Sequence, residues 1–317
     1  MQITWFLARR FSAMIAVMFL VSVGIFSLIH LSPGNPIDIL LGPVPRTPET
    51  VATLNERYHL DEPLYIQYWI WLTNALQGDF GTSIRTSLPV SQEIADRLPT
   101  TLALGIYAFI ITVVGGATLG VLAGLRQGTN IDRVAVITAV AGMSIPSFVV
   151  GVLFLYLFAI VMPWFPTSGS GQGFIGSLWH LTLPSLSLAL ICGAYITRHV
   201  RAAYGRILGE DYLVFARARG VPSMRIFVTY LTKNAMIPIV TISGIVLSML
   251  ITGAVLIEVT FSISGIGQLL VQSARYQDIP MLQAVALFMA TMVMLINLTT
   301  DLLYSFIDPR IRLGDGS

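Results

Sequence analysis

Six apolar runs dominate this chain and leave few folds open to it. They cover residues 11–31, 100–125, 134–162, 181–197, 239–257 and 283–307. About twenty apolar residues wound as an α-helix cross a hydrocarbon core. Backbone inside lipid must satisfy its own hydrogen bonds, which a helix does. Composition agrees: 55% of the 317 residues are hydrophobic and 11% are charged, against about a quarter charged in soluble domains. The reading is an all-α membrane protein of six transmembrane helices, one bundle rather than several soluble domains.

Charge orients the bundle, because Lys and Arg resist translocation and stay on the cytoplasmic side. Thirteen of the eighteen cations (positions 9, 10, 126, 133, 198, 201, 206, 217, 219, 225, 233, 310 and 312) fall on one side of the alternating spans. The other five, at 46, 57, 85, 97 and 275, fall on the opposite side. Both termini are therefore expected in the cytoplasm. A cleaved signal peptide would have a shorter apolar core and a small-residue cleavage site, so the first run reads as a retained span. Residues 32–99 carry an acidic excess and form an external segment. Within it, 47–59 is expected to be a capped helix. Residues 63–76 carry Tyr65, Tyr68, Trp69 and Trp71, which suit the membrane–water boundary, and read as a surface-lying segment. The parts are thus 1–31, 32–99 and a core of 100–317.

Inside the runs, Gly116, Gly120 and Gly124 recur every fourth residue. Either they make one smooth face for close helix packing, or they are glycines that a membrane helix merely tolerates. Pro146, in Ser144-Ile-Pro-Ser147, is expected to kink the third span, as part of a pathway or as a packing irregularity. Glu258 and Asp301 lie near span ends, where an ionisable group is either functional or hydrogen-bonded to a neighbouring helix.

The longest polar interruption of the second half is 198–238, holding Arg198, Arg201, Arg206, Arg217, Arg219, Arg225 and Lys233. It reads as two short helices with a break. Glu210 and Asp211 begin the first and Arg217 and Arg219 end it, as the helix dipole favours. Gly220 supplies a stop, and Pro222 suits the first turn of the next helix. Such a loop is either a structured connector or a docking surface.

Several chemistries find no support. Lys233 is the only lysine and follows no glycine-rich turn, so the chain carries no phosphate-binding P-loop. His30, His59, His180 and His199 are scattered, without a metal-ligand spacing, and no nucleophile elbow occurs. Gly171-Gln-Gly-Phe-Ile-Gly176 matches a dinucleotide fingerprint formally, but that motif needs a preceding strand. The single Cys192 has no intrachain disulfide partner and reads as a small core residue. No cofactor and no nucleic-acid partner are expected of this chain.

The segment Asp211-Tyr-Leu-Val-Phe-Ala-Arg-Ala-Arg-Gly220, followed by Asn234-Ala235 and Pro238, resembles the EAA loop of bacterial ATP-binding-cassette importer permeases. It is most similar to the dipeptide, oligopeptide and nickel branch. Val214 and Phe215 stand where the general motif has Glu and Ala; Ala216 and Gly220 match it. Further landmarks of that branch are similar: Pro33-Gly-Asn-Pro36, Leu60-Asp-Glu-Pro-Leu-Tyr-Ile-Gln-Tyr-Trp69, Leu76-Gln-Gly-Asp-Phe-Gly-Thr-Ser83 and Arg97-Leu-Pro-Thr-Thr101. Glu258-Val-Thr-Phe-Ser-Ile-Ser-Gly-Ile-Gly267 and Tyr276-Gln-Asp-Ile-Pro280 follow it too, with Ile263 and Ser264 where the branch usually has Trp and Pro. The tail Asp308-Pro-Arg-Ile-Arg-Leu313 is also similar.

The resemblance implies a type I importer permease fold in a bacterial plasma membrane, working by alternating access. It implies a second related permease, two ATPase subunits or domains that use ATP and Mg, and an external solute-binding protein. It makes Asp211, Tyr212, Phe215, Ala216, Ala218, Arg219 and Gly220 a coupling helix that docks an ATPase, with Ala216 at the contact. The cargo would be dipeptides or oligopeptides, or else nickel, glutathione or an oligosaccharide. Two other classes compete: a passive channel, which needs no docking loop, and an intramembrane enzyme, which needs a nucleophile–base pair that the sequence does not offer.

Overall fold

The computed structural model describes residues 2–31, 36–41 and 45–307. The Pro33-Gly-Asn landmark, the 308–313 tail and the C-terminus lie outside the described residues. In order, the helices are α1 (Gln2–Leu31), α2 (Pro36–Leu41), α3 (Pro48–Tyr58), α4 (Leu64–Leu76), α5 (Val90–Leu125), α6 (Asn130–Ser144) and α7 (Ser147–Phe154). A π-helical stretch, Leu155–Val161, extends α7. Then come α8 (Gly173–Leu208), α9 (Asp211–Ala218), α10 (Ser223–Arg225), a second π-helical stretch (Ile226–Thr232), α11 (Lys233–Thr260), α12 (Ile266–Arg275) and α13 (Ile279–Ile307). Among the described residues, extended pairing is limited to one isolated bridge, Thr82 with Pro89.

Five helices are long and apolar enough to cross a membrane: Ala8–Leu31, Val90–Leu125, Gly173–Leu208, Pro238–Thr260 and Ile279–Leu302. The sixth span is not a kinked helix as expected. α6 and α7 with its π extension meet at a bend of 102°. Ile145 (φ −106°, ψ 128°) and Pro146 (φ −60°, ψ 143°) are both extended. A residue before proline is pushed out of the helical region, and here two consecutive residues leave it, so the helix stops and restarts. Counted as one broken span, this pair makes six.

Two other boundaries differ from expectation. α8 runs three turns past the expected end of the fourth span, taking Arg198, Arg201 and Arg206 onto a helix rather than into a loop. The second helix of the 198–238 segment is not short, because Ser223 opens a helical path continuing to Thr260.

The chain forms two compact units, Met1–Thr101 with Ser264–Leu295, and Leu102–Ile263 with Ile296–Ser317. In the first, Thr47 caps α3 through a capping box with Thr50, and His59 closes it in a left-handed conformation (φ 53°), as the capped-helix expectation requires. Tyr68 of α4 is buried and bonds Ser22 of α1 at 2.8 Å, while Tyr65 and Trp69 stay exposed. Asp278, 3% exposed, precedes α13 and accepts from the amide of Met281. It also accepts from the Ser83 hydroxyl and the amides of Ile84 and Arg85, tying the 83–85 turn to the start of α13.

The second unit is built around α8. Added side chains at Gly116, Gly120 or Gly124 would collide with it: a Cβ at Gly120 would sit 2.6 Å from Val200 Cβ and 2.8 Å from Thr197 O. The every-fourth glycines are therefore a packing face. Thr197 Oγ1 donates to Gly116 O at 3.1 Å across the same seam. α6 approaches α8 at Gly142, whose Cβ would lie 3.1 Å from Leu190 O. The start of α6 is joined to α8 by a bidentate ion pair, Asp132 to Arg201 Nε and, at 2.9 Å, Nη2. Glu258 is fully buried, and neither it nor Asp301 is free of partners.

Candidate coupling helix on the cationic face

α9 follows α8 after the two residues Gly209 and Glu210, and its eight residues span about 12 Å at the helical rise. Glu210 and Asp211 occupy the positive end of its dipole and Arg217 lies in its last turn, an arrangement that stabilises a short helix. Its end is a Schellman closure. Gly220 adopts φ 72°, its amide donates to Arg217 O at 2.9 Å, and the Val221 amide donates to Ala216 O at 3.1 Å. A side chain at Gly220 would meet strain in this conformation.

One face of α9 is anchored. Leu213 is fully buried and Ala216 is 7% exposed, both in the core shared with Val200, Tyr204 and Ile207 of α8. Burying Leu213 contributes roughly 2 kcal/mol toward holding the helix in place. Tyr212 lies beside Tyr230, with ring centroids 6.3 Å apart. Asn234 Nδ2 bonds the Tyr212 hydroxyl at 3.3 Å and Tyr230 O at 2.7 Å. The helix is thus joined to both α8 and the path into α11.

The outward face has the opposite character. Phe215 is 69% exposed and Val214 is 60% exposed. Asp211, Tyr212, Arg217, Ala218, Arg219 and Gly220 are exposed as well. The expected contact residue Ala216 is corrected: its methyl faces the chain's own core. Helical geometry separates 216 from 215 by about 100°, and burial of Leu213 turns 216 inward with it. The alanine looked like a small docking residue because smallness serves internal packing equally well. Sequence reasoning missed the Asp132–Arg201 pair, since 69 positions separate its members and Arg201 reads locally as one more cytoplasmic cation.

Residues 116–313 match the family described as binding-protein-dependent transport system inner membrane component, and residues 3–105 match its N-terminal companion. The chain belongs to this family. The permease is 38% identical over 310 residues to a protein of Sinorhizobium fredii (strain NBRC 101917 / NGR234) named "Probable peptide ABC transporter permease protein". That match covers 97% of this chain and 99% of the relative. It is 36% identical over 307 residues to the glutathione transport system permease protein of Escherichia coli (strain K12), covering 97% and 98%. Among solved structures, the fold is similar to the MetNI methionine ABC transporter in an inward-facing conformation, with TM-score 0.56 at 19% identity, covering 68% of this chain and 97% of that one. An amino acid ABC transporter is similar at TM-score 0.54 and 18% identity, covering 68% and 94%. The fold is that of ABC importer permeases, and membership implies ATPase and substrate-binding partners. ATP hydrolysis lies with the former, not with this membrane subunit.

Proposed function

We propose that this permease carries short peptides inward across the membrane as part of an ATP-driven importer, with α9 as the helix that docks an ATPase. The observation that carries the docking assignment is the exposed Phe215 and Val214 on a helix otherwise anchored to its own chain. Large apolar side chains held out into water on a rigid element mark interaction sites, and aromatic anchors dominate interface energetics. The peptide assignment rests on nearly full-length similarity to a peptide permease and to a permease for glutathione, itself a tripeptide. Nickel and oligosaccharides remain the competing cargoes.

The mechanism follows from the attachments of α9. ATP and Mg bind in the ATPases, whose closure displaces α9; Leu213 and Ala216 pass that displacement to α8, and the Tyr212–Asn234 contact passes it to α11. An external binding protein biases the opposite face, because a ligand shifts such an equilibrium only through differential affinity for its states. A second, related permease completes the pathway. A passive channel would have no use for the outward face of α9.

Phe215→Asp tests this, since it leaves the buried face of α9 intact. Removing the aromatic anchor should cost about 2 kcal/mol or more of docking energy. ATP-dependent uptake in proteoliposomes should collapse while the subunit still inserts, and the ATPases should be lost on purification. Normal coupled uptake with both ATPases retained would remove α9 from this role. Ala216→Asp is the weaker test, because it also disrupts the core of this chain. Orientation is checked separately with an impermeant maleimide on intact cells, using the wild-type chain as blank. Ser168→Cys should label and Ser223→Cys should not; the reverse pattern inverts the bundle.

A further inference from the structure

Beside the break between α6 and α7 lies a cavity of about 320 Å³. Three elements of one compact unit meet at it: the break through Ser144 and Ser147, α8 through Leu188 and Cys192, and α11 through Met249 and Gly253. Its volume falls within the range of ligand pockets, roughly 300–1,000 Å³. None of the described residues lining it is charged.

Its depth follows from α8. The apolar run 181–197 on α8 is centred at position 189, between the lining residues Leu188 and Cys192. The cavity is therefore near mid-bilayer. Non-helical backbone at that depth persists only where protein buries it or where it lines a watery cavity. Ser144, Ile145 and Pro146 are exposed in this chain, so the chain itself does not bury the break. The Val149 and Val150 amides donate to Pro146 O, which leaves the Ser147 and Phe148 amides at the restart without a preceding turn to bond. In secondary transporters, discontinuous helices at the midplane hold the cargo.

The geometry points to this cavity as a waypoint for the cargo, one that receives uncharged peptide backbone and apolar side chains rather than a charged terminus. This rests on the peptide-importer reading. Ser144 Oγ already donates to Val140 O at 2.9 Å and accepts through its lone pairs; with the Ser147 hydroxyl and the freed main-chain groups it matches the amide donors and acceptors of a peptide. Met249 and Leu188 give an apolar wall, and methionine adapts to varied shapes. No lining charge is present to hold an ammonium or carboxylate. At Gly253 an added Cβ would lie 3.2 Å from Leu188 Cδ2, so a larger residue there narrows the cavity from the α11 side.

The test uses the complete complex with its ATPases and binding protein in proteoliposomes, supplied with trialanine or with Ala-Phe-Ala. Uptake of neither by the wild type overturns the peptide reading itself, and the cavity assignment with it. Given wild-type uptake, Gly253→Leu should cut Ala-Phe-Ala uptake about tenfold or more and trialanine uptake less than about threefold, since a filled pocket discriminates by side-chain size. Equal loss of both peptides, or no loss, overturns the assignment. Ser147→Cys supplies a readout independent of folding damage, because the label is added after assembly. Its modification by a small water-soluble thiol reagent, above the wild-type rate from Cys192, should slow when trialanine is transported. A rate indifferent to trialanine overturns the assignment as well.

Discussion

Helix α8 is held on two sides by different means. Against α5 the contact is dry and close, made by Gly116, Gly120 and Gly124 lying on side chains and carbonyls of residues 193–204. Against α6 it is held at one end by the Asp132–Arg201 pair, near the middle by Gly142, and is then interrupted at Pro146. The first seam spreads its energy over many small van der Waals contacts and gives α5 and α8 no freedom to slide. The second adds an ion pair at the cytoplasmic end to a row of buried small residues, Ala135, Ala139 and Gly142, and leaves the mid-membrane end open beside a cavity. One seam suits a unit that must move as a body; the other suits a unit that must admit something.

The α5–α8 seam is most vulnerable at Gly120. Gly120→Leu cannot be relieved by a rotamer change, because Thr197 O is backbone. Overpacking of this kind costs about 3 kcal/mol, and SDS titration of purified protein should show early unfolding or no recoverable protein. Wild-type resistance would mean that the seam is looser than its geometry. Arg201→Ala should cost less, about 2 kcal/mol, because the arginine is partly exposed and solvent screens it. Its cost should fall in the Asp132→Ala/Arg201→Ala double variant, which leaves no buried carboxylate unpaired. If the double variant is as unstable as the sum of the singles, the pair is not the connection between α6 and α8. The smallest effect is expected at Thr197→Val, which keeps shape and removes the bond to Gly116 O. The loss should be about 1 kcal/mol or less, and a larger loss would show that the glycine seam depends on hydrogen bonding rather than contact.

Much of the fold was legible in short windows. The positive-φ stop at Gly220 could be read from one residue, since only glycine adopts it without strain. Comparable closures at Ser262 (φ 51°) and Gln277 (φ 55°) could not. There the amides of Ile263 and Asp278 reach back to Glu258 O and Ser273 O, and residues unsuited to that conformation are held in it by their surroundings. Ile263 is fully buried, so burial of the following side chain offsets the strain. The candidate site divided in the same way. Its existence and its charged ends were visible in the 211–220 pattern, whereas the direction of each face was not.

The prolines draw the final line. Pro99, Pro184 and Pro238 each sit inside a continuous helix, in α5, α8 and α11, while at Pro146 the helix ends and turns by 102°. The spans, their charge asymmetry, the glycine face and the left-handed stop were all set by short stretches of sequence, because hydropathy, charge and φ preference are properties of a few adjacent residues. Packing between distant segments chose which proline would break its helix, which face of α9 would carry Ala216, and that Asp132 would meet Arg201. Each of those outcomes depends on what another helix places alongside, and the energy of a contact between distant segments is not written in either segment alone.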